Sequence, residues 1–456
     1  MVKTPEPARW SSQIAFYLAA IGASVGLGSI WRFPYLVGTQ GGSAFILVFA
    51  LACLVIAIPL LSAEFLIGRR SRKNPMQAAG AVAVANGLSG RWNIIGVLGT
   101  LTAFLIISYY TVIAGWVLAY AWECANGVFQ GLSNAQVEAR WDAFVGNPWR
   151  IGAWHIAFLL LVGWISAKGV NRGLEVANRW RAPALLTLLM ILLFYSLATG
   201  DVEKGLSFAF TPHFDRITPQ VVLSAVGQAF YATGVGMAMM IAYGAYAPPT
   251  SSLLRSAGLI VASIIVVSIL AAIVIFPLVF RFGLDPAQGP ELVFNVLPTT
   301  FAVMPGGRVF GTLFFLLLVL AALTPSIAGI EPTVAWMQER AGWSRTKSVI
   351  TTIAAIWVVG IGSLLSFNLW ADWYPLGLFS VFAGMSVFEL ADYISSNILL
   401  PIGAFLTAIF VGWRLPTAVL ADGLEGTGPR ATMVITWMLR IVCPLAIATV
   451  LVAVSL

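Results

Sequence analysis

Apolar runs of about 20 residues recur along almost the whole chain, separated by short polar or Gly/Pro-containing breaks. Each is long enough to cross a hydrocarbon layer of roughly 30 Å as a helix. Backbone inside such a layer must satisfy its own hydrogen bonds, so a chain built from these runs is read as an all-α polytopic membrane protein. Composition agrees: 59% of the 456 residues are hydrophobic and 9% are charged, against roughly 25% charged in an average soluble domain. The runs fall near residues 12–37, 43–68, 92–124, 150–166, 178–199, 218–244, 254–282, 308–338, 348–367, 388–413 and 432–455, about 11 transmembrane helices. No soluble domain remains between them. The stretch 376–386 is apolar but short, and reads either as an interfacial piece or as a twelfth crossing. The loop 283–307 either folds back into a vestibule or lies on the surface as a helical hairpin.

The formal net charge of +7 does not indicate nucleic acid, because the basic residues sit in short loops between apolar runs. With a cytoplasmic N-terminus, the Arg69-Arg70-Ser71-Arg72-Lys73 cluster, Arg179, Arg181, Arg345 and others fall inside, while Arg140, Arg150, Lys204, Arg216, Arg281 and Arg308 fall outside. That excess of roughly three to one sets the orientation under the positive-inside rule. Cys53, Cys124 and Cys443 have neither metal-ligand spacing nor a paired framework. The first run is too long for a signal-peptide core, so it reads as a mature helix.

Between Gly22 and Pro34 the first run holds three glycines, two serines, Arg32 and a proline, a poor recipe for continuous helix. Irregular backbone at membrane depth persists only where it is buried in protein or lines a cavity. Ala229-Phe230-Tyr231-Ala232-Thr233-Gly234-Val235-Gly236 interrupts the sixth run in the same way. A lone glycine-rich run is more often a packing surface. Two matched interruptions instead point to inverted repeats, with a binding site where the half-helix ends meet.

Several long motifs carry a resemblance. Trp10-Ser11-Ser12-Gln13, Val25-Gly26-Leu27-Gly28-Ser29-Ile30-Trp31-Arg32-Phe33-Pro34-Tyr35, Gly41-Gly42-Ser43-Ala44-Phe45, Pro59-Leu60-Leu61-Ser62-Ala63-Glu64, Leu323-Thr324-Pro325-Ser326 and Asp392-Tyr393-Ile394-Ser395-Ser396-Asn397 resemble the neurotransmitter:sodium symporter family, bacterial amino-acid-transporter branch. The resemblance implies a five-plus-five inverted repeat with broken first and sixth helices, working by alternating access. Residues 1–200 would form the first repeat with a cytoplasmic N-terminal tail. Residues 201–413 would form the second, including the extracellular loop 283–307, and 414–456 a cytoplasmic loop and an additional eleventh helix. The implied location is the cell inner membrane, and the implied ligand a small amino-acid-like zwitterion, with no organic cofactor.

Carried over by position, the resemblance implies that the substrate carboxylate meets backbone N–H groups of Leu27 and Gly28 and the Tyr110 hydroxyl. The physics fits, since exposed N–H groups at a half-helix N-terminus favour an anion. Gly26 stands where amine-transporting relatives carry an aspartate, which favours a substrate bringing its own carboxylate. Carbonyls near Ala23, Tyr231 and Ala232 would receive the ammonium group. Ser24, Ile106, Tyr231, Gly234, Met237, Pro325 and Gly329 would face the side chain. Glycine at 234 and 329 suggests a medium or large apolar side chain, unless larger neighbours fill the room. Arg32 and Asp392 resemble an outer ion-pair gate, with Tyr110 and Tyr231 as aromatic lid; Trp10 and Glu339 resemble the inner one. The family's arginine before Trp10 is replaced by Pro7, with Arg9 as substitute. Gly173 and Pro183 match the spacing of a fifth-helix unwinding element, or mark an ordinary kink.

The departures fall on the cation sites. Side-chain ligands of the family's first sodium site are replaced here by Ser29, Ala232 and Ile264, or the adjacent Ser263, which makes that site absent or weak. The second would use carbonyls of Gly22, Val25 and Ala321 with the Thr324 hydroxyl, a second hydroxyl having become Pro325. That proline cannot donate to the Ala321 carbonyl and so frees it. Possible Na+ binding is thus confined to one site. Glu64, Glu331 and His155 are alternative proton carriers, although structural carboxylates and a solvated His155 are the simpler reading. Ser268 falls near the family's chloride region without the rest of that set. The expected function is a secondary active amino-acid transporter with altered or reduced sodium coupling. Alternatives are a proton-coupled or uncoupled exchanger and a non-transporting substrate sensor. The spans show no nucleophile–base pair or metal cluster, so an enzyme is a poor third.

Overall fold

The structure is a computed structural model and describes residues 10–249, 251–286, 292–424 and 428–455. The chain starts with α1 (Gln13–Ser24) and α2 (Gly28–Thr39), two apolar halves bent by 50° at residues 25–27. After them come α3 (Ser43–Ser71), α4 (Pro75–Ala85), α5 (Gly90–Ala125), α6 (Asn134–Val145), α7 (Pro148–Ala167) and α8 (Gly173–Thr199). The second half holds α9 (Val202–Phe210), α10 (Pro219–Thr233), α11 (Met239–Ala245), α12 (Leu253–Arg281), α13 (Val293–Val303) and α14 (Gly307–Ala341). The chain closes with α15 (Arg345–Leu365), α16 (Val387–Arg414), α17 (Thr417–Gly423) and α18 (Gly428–Val452). Among the described residues nine of these are long and apolar enough to cross a membrane, and the α1/α2 pair taken as one span makes ten. The remaining expected run is α10 with α11, separated at residues 234–238.

Burial ranks the helices. α14 has 83% of its most apolar stretch inside the bundle and α5 has 72%, whereas α8 and α18 have 28% and 33%. The first pair is therefore the centre and the second the periphery. On α3, Leu47, Leu51 and Leu54 are each at least half exposed. Their i, i+4, i+7 spacing puts them on one stripe, which suits a surface facing lipid.

The second interruption lies a few residues later than the sequence suggests. Residues 229–233 are still helical, and α10 ends only at Gly234, whose φ of +68° is the left-handed C-terminal conformation. Residues 376–386 form turns and a single short 3₁₀ segment, Ser380–Phe382, with Leu378 98% exposed, so they are no crossing. The loop before α14 folds back, because α13 buries Val293, Phe294 and Leu297. Phe294 stacks on Trp141 at 5.1 Å and meets Trp116 edge-on. Two polar residues were misplaced by sequence alone. Arg181 is not a loop charge: it is 5% exposed within α8. His155 is not solvated: it is fully buried and its Nε2 lies 3.0 Å from the Thr111 hydroxyl.

Candidate functional site

The broken backbone is rescued by side chains from neighbouring helices. At the first interruption the Leu27 N–H donates to the Tyr110 hydroxyl oxygen at 3.2 Å, and Gln228 Nε2 donates to the Gly28 carbonyl at 2.7 Å. At the second, the Gly236 N–H donates to Glu64 Oε1 at 2.7 Å. Gly236 is required there twice over: its φ is +85°, and a methyl group on it would stand 2.6 Å from the Leu400 carbonyl oxygen.

Between the interruptions lies a cavity of about 30 Å³, near the volume of one water molecule. The structure brings Ala23, Ser24, Gly28, Ile106, Tyr110, Tyr231, Ala232, Gly234, Met237 and Pro325 together around it, along with Gly26, Ile107 and Met239. Leu27 reaches the same place through its N–H. Ile106 and Tyr110 are one helical turn apart on α5 and share a face, and the neighbouring residue Tyr109 turns toward Asp392 instead. Gly329 does not open the cavity, since a methyl group there would collide with Ile107. Likewise the room at Gly234 is taken by Met239 Cε, 2.5 Å from where a β-carbon would stand. Larger neighbours thus offset both glycines, and a ligand of amino-acid size requires Met237, Met239 and Ile107 to move. At Gly26 a β-carbon would lie 2.7 Å from Pro325 Cγ and 3.0 Å from the Tyr110 hydroxyl, so no side chain fits.

Tyr231 borders both this cavity and a vestibule of about 710 Å³, lined also by Trp31, Arg32, Trp116, Phe294 and Asp392. The Arg32 guanidinium stands 4.3 Å above the Tyr231 ring and its Nη2 is 3.4 Å from Asp392 Oδ2. Asp392 Oδ1 also accepts from the Tyr109 and Ser396 hydroxyls. An arginine at membrane depth needs such a partner. At the opposite end of α1, Trp10 is buried against the Tyr243 ring at 5.3 Å. Glu339 binds Asn74 through the latter's N–H and Nδ2; Pro7 and Arg9 lie outside the described residues. A buried ion pair on that side joins Glu331 to Arg345, at 2.7 and 3.0 Å, with the Tyr246 hydroxyl donating to Glu331 as well. Sequence reasoning missed Arg345 as a partner, and only its place at a helix start near the same end hinted at it.

The donor chemistry separates the two cation sets. Ser29 Oγ is buried without a partner, but the side chains of Ala232 and the fully buried Ile264 are hydrocarbon, while Ser263 is partly exposed. That set does not fit a hard cation. In the other set the Thr324 hydroxyl is buried and unpartnered, and Pro325 leaves the Ala321 carbonyl without its helical donor. Oxygens are present, yet a charge already stands beside them. A methyl group on Gly22 would collide with Asn178 Oδ1 and lie 2.6 Å from Arg181 Nη2. Arg181 donates from Nη1 to the Leu320 carbonyl at 3.1 Å, its Nε has no partner, and it forms no ion pair among the described residues.

A family model described as the sodium:neurotransmitter symporter family matches residues 8–143 and 146–456. The chain is 37% identical over 448 residues to the uncharacterized sodium-dependent transporter YhdH of Bacillus subtilis, covering 98% of this chain and 97% of that one. It is 29% identical over 306 residues to the sodium-dependent neutral amino acid transporter B(0)AT2 of Bos taurus, covering 60% of this chain and 41% of that one. Among solved structures, MhsT in complex with L-phenylalanine matches with a TM-score of 0.89 and 36% identity over 98% of this chain and 99% of the other.

Proposed function

Because the chain belongs to the sodium:neurotransmitter symporter family and is therefore a multi-pass membrane transporter and not an enzyme, we propose that it moves a neutral amino acid or related zwitterion by alternating access. The observation that carries this reading is the Leu27–Tyr110 contact beside Gly26. Leu27 N–H and the Tyr110 hydroxyl proton are two donors at a helix N-terminus facing a cavity in which position 26 carries no acid. A carboxylate would accept the Tyr110 proton directly and Leu27 N–H once that group turns from the Tyr110 oxygen, and its charge would be favoured by the α2 dipole. The ammonium group would meet the carbonyls of Ala23, Tyr231 and Ala232. The apolar side chain would displace Met237, Met239 and Ile107; L-phenylalanine bound to MhsT and the neutral amino acid specificity in the name B(0)AT2 support this substrate class.

In this reading the N-terminus is cytoplasmic in a cell inner membrane. Arg32 and Asp392 close the outer path above Tyr231, and Trp10, Glu339 and the Glu331–Arg345 pair close the inner one. Residues 1–200 and 201–413 act as the two repeats, with 414–456 appended. Sodium coupling is altered, since the first cation set has lost its ligands. Glu64 keeps one oxygen without a partner, which favours it over the ion-paired Glu331 as a proton carrier.

Counterflow tests the proposal. Proteoliposomes preloaded with L-phenylalanine should accumulate external labelled L-phenylalanine transiently. Saturable binding with no counterflow at any pH would replace the transporter reading with a sensor.

A further inference from the structure

α1 ends inside the bundle. Val25 N–H closes the last turn on the Ile21 carbonyl, and the carbonyls that follow lack the donors of a continuing helix at the negative end of its dipole. α14 faces them with the Ala321 carbonyl, freed by Pro325, and with the unpartnered Thr324 hydroxyl. Oxygen atoms therefore gather where α1, α8 and α14 pack together, in a setting that favours positive charge.

That charge is supplied by the chain itself. Arg181 projects from α8 to Gly22 on one side and to the Leu320 carbonyl on the other, 5% exposed and without a carboxylate partner among the described residues. It differs from the structural arginines of this protein. Arg69 binds the carbonyls of Ser251 and Gly423, and Arg72 those of Ala245 and Ala247. Each of those caps two carbonyls, whereas Arg181 binds one and leaves Nε bare. Asn178, one turn earlier, is 1% exposed with Oδ1 unpartnered and sits against the same Gly22. A buried guanidinium with so few acceptors is placed by the electrostatics of its surroundings more than by capping.

We propose that Arg181 is the resident cation of the α1–α14 carbonyl cluster, so that this site is neutralised by the protein and requires no sodium ion. The inference deepens the transport reading above, but its readout, cation dependence, does not rest on knowing the substrate.

Thermal unfolding of the purified full chain in sodium, potassium and choline chloride tests it. Wild type should unfold at the same temperature in all three salts. Arg181→Gln, and Arg181→Ala combined with Pro325→Ser to restore a hydroxyl, should be stabilised selectively by sodium, while Arg181→Lys should behave as wild type. In the variants L-phenylalanine should bind about tenfold more weakly in potassium than in sodium, within the usual range of coupling between sites. Selective stabilisation of wild type by sodium would overturn the proposal, as would folded variants that remain indifferent to the salt. If neither variant folds, the wild-type comparison together with Arg181→Lys decides. Failure of L-phenylalanine to bind in any salt would count against the substrate reading and leave the unfolding comparison intact.

Discussion

Tyr110 holds one interruption together and presents a donor to the cavity, and phenylalanine could do neither. Without ligand its oxygen accepts from Leu27 N–H, so its own proton remains available for a carboxylate. Loss of one hydrogen bond to an ionised group costs roughly 1.5–3 kcal/mol, or about 10- to 100-fold in affinity. Tyr110→Phe should weaken zwitterion binding by that much in a direct binding assay, and unchanged affinity would remove Tyr110 from the carboxylate site. Its position is legible in the sequence only through the family resemblance, and the structure adds that Ile106, one turn away on α5, lines the same cavity. The space at Gly329 was not legible, because it depends on Ile107 of another helix. Arg181 was misread for a related reason. Charge counting treats an arginine near a helix end as solvated, and only the packing of α8 against α1 and α14 buries it. Two unit charges about 5 Å apart at an effective dielectric near 20 repel by roughly 3 kcal/mol. An added sodium ion beside Arg181 would face a penalty of that order.

The elements that matter most are those whose helices stop early. The composition of the first run announced its break, and the structure places it at residues 25–27. The second break was displaced because small residues alone do not end a helix. Residues 229–233 stay helical until Gly234 and Gly236 take positive φ, followed by Ala238 at +56°. Gly236→Ala should therefore destabilise the protein by about 1–3 kcal/mol from backbone strain alone, with a further cost from the clash against Leu400. Gly258→Ala provides the control, since nothing lies within 4 Å of a β-carbon there, and its effect should stay within about 0.5 kcal/mol. Thermal melts in detergent compare the two; equal losses would refute the strain argument. α8 has its own weak points, a π-helical segment, Val170–Glu175, that overlaps its first residues, and Pro183 within the helix. Asn178 and Arg181 lie between them. If unwinding of this segment opens the inner path, Pro183→Ala should slow counterflow without changing equilibrium affinity.

At the scale of the molecule, the bundle presents two ends that differ in how they are closed. One carries Arg32, Asp392 and the 710 Å³ vestibule. The other carries Trp10 and the Glu331–Arg345 pair. Basic residues cluster at the second end, and with Arg181 buried in the bundle most of that excess remains, which predicts that this end is cytoplasmic. Cysteine chemistry can test it cleanly, because Cys53, Cys124 and Cys443 are all buried and contribute little background. Leu378 is 98% exposed in the turns that precede α16, and Ala341 is exposed at the end of α14. A membrane-impermeant maleimide applied to intact cells should label Leu378→Cys at once. It should reach Ala341→Cys only after permeabilisation. The opposite pattern would invert the molecule, and with it the assignment of Arg32–Asp392 as the outer closure. Labelling of both in intact cells would mean that the two residues share a side, which a helix count that separates them by one crossing, α15, does not allow.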